Sequence, residues 1–164
     1  MNSARFTRIL DQLKTDFQKE NKGVKNGLKS ICELLTKEVK TYDWVGFYFA
    51  DFEKQSLHLS VYSGAPTEHT TIPFGKGICG QVAVSNKNFL VPDVTQQDNY
   101  IACSATVRSE LVVPLFVEGK NIGQIDIDSE TPDAFSKADE LFLTSICDLV
   151  ASTYGQLLTQ LKNQ

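Results

Sequence analysis

The sequence predicts an α+β fold in which helices at both ends of the chain pack on a mostly antiparallel central sheet. Three observations favour it: two segments with helical apolar periodicity come first, segments that alternate apolar and polar residues follow, and a long helical segment closes the chain. This order is typical of α+β proteins. No repeat, low-complexity tract or linker divides the 164 residues, so we expect residues 1–164 to form a single domain.

In the first half of the chain the spacing of apolar residues changes once, from a helical pattern to a strand pattern. Apolar side chains at helical spacing over residues 3–20 predict a first helix, and Gly23 separates it from a second over residues 24–39. Residues 44–50 are rich in aromatic side chains and residues 56–61 alternate apolar with polar ones, so both segments are predicted strands.

The second half mixes short elements with one long loop. A short helix over residues 78–86 and a short strand over residues 89–91 precede a polar stretch, residues 93–108, that has no period. Such a loop inside a compact domain tends to be functional. Strands over residues 110–117 and 121–128 follow, joined by a predicted three-residue turn, and the pattern Ser136-Lys137-Ala138-Asp139 is a capping box that begins the last helix.

Composition and charge narrow the class of protein. Sixteen basic residues are interspersed among twenty acidic ones without a basic run, which argues against a nucleic-acid partner. Residues 1–8 contain no apolar segment and no stretch of about 18 apolar residues is evident, so we expect a cytoplasmic protein without a membrane partner. With two histidines and no CxxC motif, no metal-ligand spacing is evident either.

The four cysteines differ in their surroundings. Cys32 and Cys147 lie in apolar helical stripes, where a cysteine serves packing. Cys79 lies near the start of a short helix, where free N–H groups favour a thiolate, although a small apolar core residue would suit that place equally well. Cys103 lies in the long loop among small neighbours, where few apolar contacts await it, so we predict a functional role.

A group of carboxylates is predicted beside these cysteines. The strand over residues 121–128 alternates isoleucines with polar residues, so Asp126 and Asp128 share one face. A three-residue turn over residues 118–120 would place Glu110 opposite Asp128. A solvated sheet face would explain the alternation as well. Three clustered carboxylates, however, raise the pKa of at least one member and could both hold an amine and donate a proton.

Several motifs, in this order, resemble one family of enzymes: WVGFY (44–48), IPFGKGICG (72–80), IACS (101–104), SELVVPL (109–115) and IGQIDIDS (122–129). They are similar to the free methionine-(R)-sulfoxide reductases, which are single-domain enzymes of the GAF fold. The resemblance covers about residues 44–129, with helices in the expected places at both ends. A GAF fold alone would say little about function, since it also serves many sensors.

The resemblance implies roles for individual residues. Cys103 matches the catalytic cysteine of the family, and Cys79 matches a second cysteine that takes part in disulfide formation. The residues that match the substrate pocket are Trp44, which would pack on the methyl end of the substrate, and the acidic residues Glu110, Asp126 and Asp128. One position departs from the pattern: His69 stands where members commonly carry a third, resolving cysteine.

These roles imply a mechanism without a metal or an organic cofactor. The thiolate of Cys103 would attack the sulfoxide sulfur while a carboxylic acid, Glu110 or Asp128, protonates the oxygen. The resulting sulfenic acid would condense with a second thiol to a disulfide, which thioredoxin or a similar dithiol would reduce. Carboxylates that pair with an α-ammonium group would select the free amino acid over a peptide.

Two other functions compete with this one. A stand-alone GAF sensor would bind a small ligand without chemistry, and the absence of a cysteine at His69 supports it. An acidic pocket with two cysteines argues against anionic messengers, however. The other alternative is an interaction domain that forms a homodimer through its terminal helices, which leaves Cys103 and the acidic strand without a role.

Overall fold

The computed structural model describes residues 2–100 and 105–162. These residues contain four helices, α1 (Asn2–Lys19), α2 (Val24–Glu38), α3 (Gly77–Ser85) and α4 (Lys137–Lys162), and a short 3-10 helix, Val94–Gln96. They also contain six strands: β1 (Trp44–Asp51), β2 (Ser56–Ser63), β3 (Thr71–Pro73), β4 (Phe89–Val91), β5 (Ser109–Val117) and β6 (Lys120–Ser129). The α+β fold predicted from the sequence is confirmed.

The strands form one sheet with the order β3-β2-β1-β6-β5-β4. Every neighbouring pair is antiparallel, as predicted. The sequence analysis missed strand β3, which has three residues and contains a proline, a residue that argues against a strand except at an edge such as this one.

Helices α1, α2 and α4 cover one face of the sheet. Their apolar stripes bury the side chains that β1, β5 and β6 point toward them, including Val45, Phe47, Leu111, Val113, Ile125 and Ile127. Cys32 of α2 and Cys147 of α4 belong to this core and are 0% and 3% exposed. The prediction that these two cysteines serve packing is confirmed.

The β5–β6 hairpin differs from the predicted one in its turn but keeps the predicted pairing. Its loop has two residues, Glu118 and Gly119, with φ angles of 52° and 77°, because a tight hairpin turn of this kind needs positive φ at both positions. A bulge between Leu115 and Phe116 then shifts the register by one residue. Glu110 therefore lies opposite Asp128, as a three-residue turn without a bulge would also have placed it.

Helix α4 begins with the predicted capping box. The backbone N–H and the hydroxyl of Ser136 donate hydrogen bonds of 2.8 and 2.9 Å to Oδ2 of Asp139. By length and composition alone, residues Lys137–Gln160 are apolar enough to cross a membrane, a candidate that the sequence analysis did not recognise. In the structure 44% of the apolar window is buried, and its buried side chains belong to the core on the helix-covered face of the sheet, among them Leu143, Ile146 and Val150.

Cys32 and Cys147 are predicted to be inert in the folded protein. Burial raises the pKa of Cys32 to about 12 and also raises the pKa of Cys147, so neither is a thiolate at pH 8. We expect both thiols to react with a disulfide reagent such as DTNB only after denaturation in urea. Replacement of either by alanine should lower the free energy of unfolding by roughly 1 kcal/mol. Rapid labelling of either thiol in native buffer would contradict their placement.

Candidate active site

The face of the sheet opposite α1, α2 and α4 carries the predicted site residues. Strands β1, β6 and β5 lie side by side, and their register aligns Trp44 with Asp128 and Asp128 with Glu110. Asp126 lies two residues along β6, opposite Gly46 of β1. Because side chains in a strand alternate between the two faces, all of these point away from the three helices.

The three carboxylates are buried. Glu110 is 3% exposed, and Asp126 and Asp128 are each 1% exposed. A solvated sheet face is therefore the wrong explanation for the alternation in β6. The cost of burying carboxylates indicates a site in which they serve a purpose other than solubility.

Cys79 faces the carboxylates from the first turn of α3. Its thiol donates a long hydrogen bond of 3.8 Å to Oε1 of Glu110. The sulfur and one carboxylate oxygen each from Glu110 and Asp126 lie within 4.8 Å of one another. Cys79 is only 3% exposed and packs in the apolar cluster between α3 and the sheet. It is therefore both a packed residue and a neighbour of the acidic group, and a reactive role for its thiol stays a prediction.

The environment of the cluster favours retention of a proton by its carboxyl groups. Burial raises the pKa of Glu110 well above its usual range, the negative charges of Asp126 and Asp128 raise it further, and the hydrogen bond from Cys79 acts in the opposite direction. Burial also raises the pKa of Asp126, against the lowering effect of its contacts with Glu110 and Cys79. Carboxyl groups this close share a proton more readily than they both ionise.

The same side chains are the ones that could hold a cation. Within residues 2–100 and 105–162, Cys79, Glu110 and Asp126 are the group whose ligand atoms lie close enough to surround a metal ion. Both oxygens of Asp126 are buried, and in this part of the chain they accept no hydrogen bond from an N–H group; their neighbours are Glu110 and Cys79. An ammonium group that reached them would supply the missing donors.

A small cavity lies between α3 and the carboxylates. Its lining includes His69, Ile72, Lys76, Cys79, Glu110 and Asp126. About 10 Å³ is open to the centres of water-sized molecules, which is room for about one water molecule. His69 thus lines the same cavity as Cys79. A ligand the size of an amino acid needs the surrounding segments to adopt a more open arrangement.

Two aromatic residues of β1 lie on the same face of the sheet as the carboxylates, Trp44 opposite Asp128 and Tyr48 opposite Gln124. Trp44, which the resemblance implied, is 4% exposed, and its indole lies over Gly46, where any side chain would collide with the ring. The indole Nε1 donates a hydrogen bond of 3.1 Å to the carbonyl oxygen of Ala65. The sequence analysis missed Tyr48, whose hydroxyl donates a hydrogen bond of 2.9 Å to the carbonyl oxygen of His69. The alternation Trp44, Gly46, Tyr48 could have revealed it.

Asn99 was also missed. Its Oδ1 accepts a hydrogen bond of 2.9 Å from the backbone N–H of Gly77, and its Nδ2 donates one of 2.7 Å to the carbonyl oxygen of Gly75. Gln81 of α3 donates to the carbonyl oxygen of Asn99 at 3.2 Å. These bonds fasten the middle of the polar stretch to the start of the helix that carries Cys79 and to the residues just before it. No local pattern signals them, because the partners lie about twenty residues apart in the chain.

Cys103, the predicted nucleophile, lies outside the described residues, as do its neighbours Ile101, Ala102 and Ser104. Its role therefore stays a prediction. The described chain resumes at Ala105 and leads into β5, where Glu110 is the second residue of the strand.

The chain is similar in sequence and in structure to several known proteins. Residues 25–153 match the GAF domain family. The chain is 37% identical to GAF domain-containing protein A of Dictyostelium discoideum, over 88% of this chain and 89% of the relative. It is 32% identical to the free methionine-R-sulfoxide reductase of Saccharomyces cerevisiae, over 87% of this chain and 83% of the relative. The structure of the free methionine-R-sulfoxide reductase of Neisseria meningitidis in complex with its substrate is similar, with a TM-score of 0.88 and 32% identity over 94% of this chain and 91% of that one.

Glu110→Gln is predicted to stabilise the folded protein at neutral and alkaline pH. Because the pKa of Glu110 is raised on folding, the folded state binds the extra proton, and this group makes the free energy of unfolding fall as the pH rises above its ordinary value of 4.5. Glutamine carries no charge to bury, so the variant should gain on the order of 1 kcal/mol or more over the wild-type protein at pH 8.

The measurement is urea unfolding of both proteins between pH 4 and pH 9. The matched control is Glu118→Gln in the exposed hairpin turn, which should follow the wild-type curve at every pH. If Glu110→Gln lowers the free energy of unfolding by the same amount at every pH in this range, folding does not raise the pKa of the Glu110 carboxyl group.

Proposed function

The chain belongs to the GAF domain family and has free methionine-R-sulfoxide reductases among its relatives, and from this premise we propose that it reduces free methionine-R-sulfoxide to methionine. The observation that carries the proposal is the buried cluster of Glu110, Asp126 and Asp128 with Cys79 on one side and Trp44 on the other. A thiol, a proton source and an aromatic surface are the groups that this reduction requires.

The carboxylates support recognition of a free amino acid. The buried carboxylate of Asp126, which accepts no hydrogen bond from an N–H group in the described part of the chain, gains a donor when an α-ammonium group binds, and the interaction is strong because water is excluded. A methionine sulfoxide residue within a peptide has an uncharged amide nitrogen at that position and offers no such charge. Trp44 would then contact the methyl and methylene groups at the other end of the substrate.

Proton delivery is proposed to come from Glu110. The Cys103 thiolate attacks the sulfoxide sulfur, a proton from the acid is placed on the oxygen, and the oxygen is transferred to Cys103, leaving methionine and a sulfenic acid. Glu110 is the better-placed donor because burial and its two acidic neighbours hold its pKa above the usual range. Asp128, directly opposite Glu110, is the alternative donor that the family pattern allows.

Cys79 is proposed as the resolving thiol. Its attack on the sulfenic acid expels water and forms a disulfide with Cys103, and a dithiol such as thioredoxin then reduces that bond by exchange. Of the three cysteines in the described residues, Cys32 and Cys147 lie on the helix-covered face, whereas Cys79 faces the carboxylates. Three free thiols also suit a reducing compartment, and we propose a cytoplasmic location. The homodimer stays a prediction.

A GAF sensor without chemistry is the alternative function. It is favoured by one observation: His69 lines the cavity where a third cysteine would be expected. The two functions differ in whether methionine is released, which the following experiment measures.

The purified protein is predicted to consume the R epimer of free methionine sulfoxide and to leave the S epimer. Racemic substrate is incubated with excess dithiothreitol, and both epimers and methionine are quantified by chiral chromatography. Cys103→Ser should abolish release of methionine, while Cys147→Ala, a cysteine of the core, should retain it. Equal consumption of both epimers, or reduction of a peptide-bound sulfoxide at a similar rate, would contradict the proposed recognition of the free R epimer by the carboxylates and Trp44. If the wild-type protein releases no methionine, the sensor function is favoured instead.

Cys79→Ser is predicted to separate the two halves of the reaction. The variant should release about one equivalent of methionine per protein without reductant and should lose thioredoxin-dependent turnover. In the wild-type protein, peptide mass mapping after substrate treatment should find a Cys79–Cys103 disulfide, which requires Cα atoms within about 7 Å of each other. Normal thioredoxin-dependent turnover of Cys79→Ser would show that another thiol resolves the sulfenic acid.

A further inference from the structure

The indole of Trp44 is one of two stacked rings. Tyr62 of β2 lies opposite Gly46 of β1, so its side chain is on the same face as Trp44. Because Gly46 has no side chain, the two rings meet above it, with centroids 5.5 Å apart and planes 16° from parallel. The indole therefore has Tyr62 against one side, while the hydrogen bond from its Nε1 to Ala65 fixes its edge.

A lysine from the opposite layer of the molecule completes this stack. Lys29 belongs to α2, which packs on the other face of the sheet. In the described residues strand β3 pairs with β2 at residues 56–58, so the outer edge of β2 at Tyr62 is not covered by β3 and Lys29 can reach around it. The ammonium group donates a hydrogen bond to the carbonyl oxygen of Tyr62 and lies 5.6 Å from the centroid of its ring.

We propose that Tyr62 and Lys29 are positioning residues that fix the plane of the Trp44 indole against the methyl end of the substrate. This inference rests on the function proposed above. Lys29 holds the Tyr62 backbone and ring together through a hydrogen bond and a cation–π contact. Tyr62 in turn keeps the indole from rotating over Gly46, where no side chain would stop it. The three residues thus link α2 to the substrate pocket around the edge of β2.

Loss of the stack should weaken substrate binding more than the chemistry. Trp44 contacts the apolar end of the substrate and not the oxygen that accepts the proton, so its contact is as strong in the bound substrate as in the transition state. Removal of such an interaction raises KM and leaves kcat nearly unchanged. The chain also has a single tryptophan, so its intrinsic emission reports on the indole directly.

The experiment compares Tyr62→Leu, Tyr62→Phe, Lys29→Met and Lys29→Arg in the full chain. Tyr62→Leu should raise KM for free methionine-R-sulfoxide roughly tenfold with kcat within about twofold, and should shift the tryptophan emission to the red. Tyr62→Phe keeps the ring and should resemble the wild-type protein. Lys29→Met should raise KM about threefold. Lys29→Arg should keep KM near the wild-type value, because a guanidinium group can also donate a hydrogen bond to the Tyr62 carbonyl and make a cation–π contact with its ring.

The matched control is Phe116→Leu, which removes a ring that is 41% exposed near the β5–β6 turn and should change neither KM nor emission. If Tyr62→Leu leaves KM and the tryptophan emission unchanged, the positioning role of Tyr62 is overturned while the proposed function stands. A fall in kcat with KM unchanged would have the same meaning. If Tyr62→Leu does not fold, the Lys29→Met and Lys29→Arg pair decides, since identical KM values would overturn it. A wild-type protein that neither binds nor reduces methionine sulfoxide would overturn the proposed function and this inference with it.

Discussion

The alignment of Glu110 with Asp128, beside Asp126, is the constraint on which the rest of the structure depends. Three carboxyl groups within a sheet are costly to bury, and in the described residues no lysine or arginine forms an ion pair with Glu110 or Asp126 that would lower this cost. Helix α3 covers them with Cys79, Trp44 borders them, and no N–H donor in the described chain neutralises Asp126. The function proposed above would use both features of this cluster, the retained proton and the carboxylate oxygens that can accept from an ammonium group.

The opposite face of the same strands stabilises the fold. Every second residue of β5 and β6 contributes to the core beneath α1, α2 and α4, where Leu111, Ile125 and Ile127 are fully buried. Burial of this apolar surface offsets the strain of the acidic face. The two faces are linked at the part of β2 that extends beyond its pairing with β3, where Lys29 of α2 contacts Tyr62 around the edge of the sheet.

The sequence predicted the four helices and five of the six strands because these depend on local periodicity, and it predicted the grouping of the carboxylates from that periodicity and an assumed hairpin turn. It could not distinguish a buried acidic face from a solvated one, since the alternation of β6 is the same in both cases, and burial is decided by α3. It assigned the wrong turn length at Glu118 and Gly119, yet the bulge beside Phe116 left the predicted pairing of Glu110 intact. Asn99 and Tyr62 act through partners distant in sequence, which no local pattern reveals. Cys103 was identified by resemblance and its place in the loop, and it lies outside the described residues.

In the β5–β6 hairpin, the two-residue turn and the bulge between Leu115 and Phe116 together keep Glu110 opposite Asp128. This limits where residues can be inserted or deleted in the hairpin. Because side chains alternate, a change of one residue in the strand would move Glu110 to the helix-covered face and Leu111 into the acidic cavity. An inserted turn residue is therefore compatible with the chemistry only if the bulge is lost at the same time. Relatives with a three-residue turn and a regular strand would carry the same acidic group on a differently built hairpin, so gaps in an alignment here need not mark a change of function.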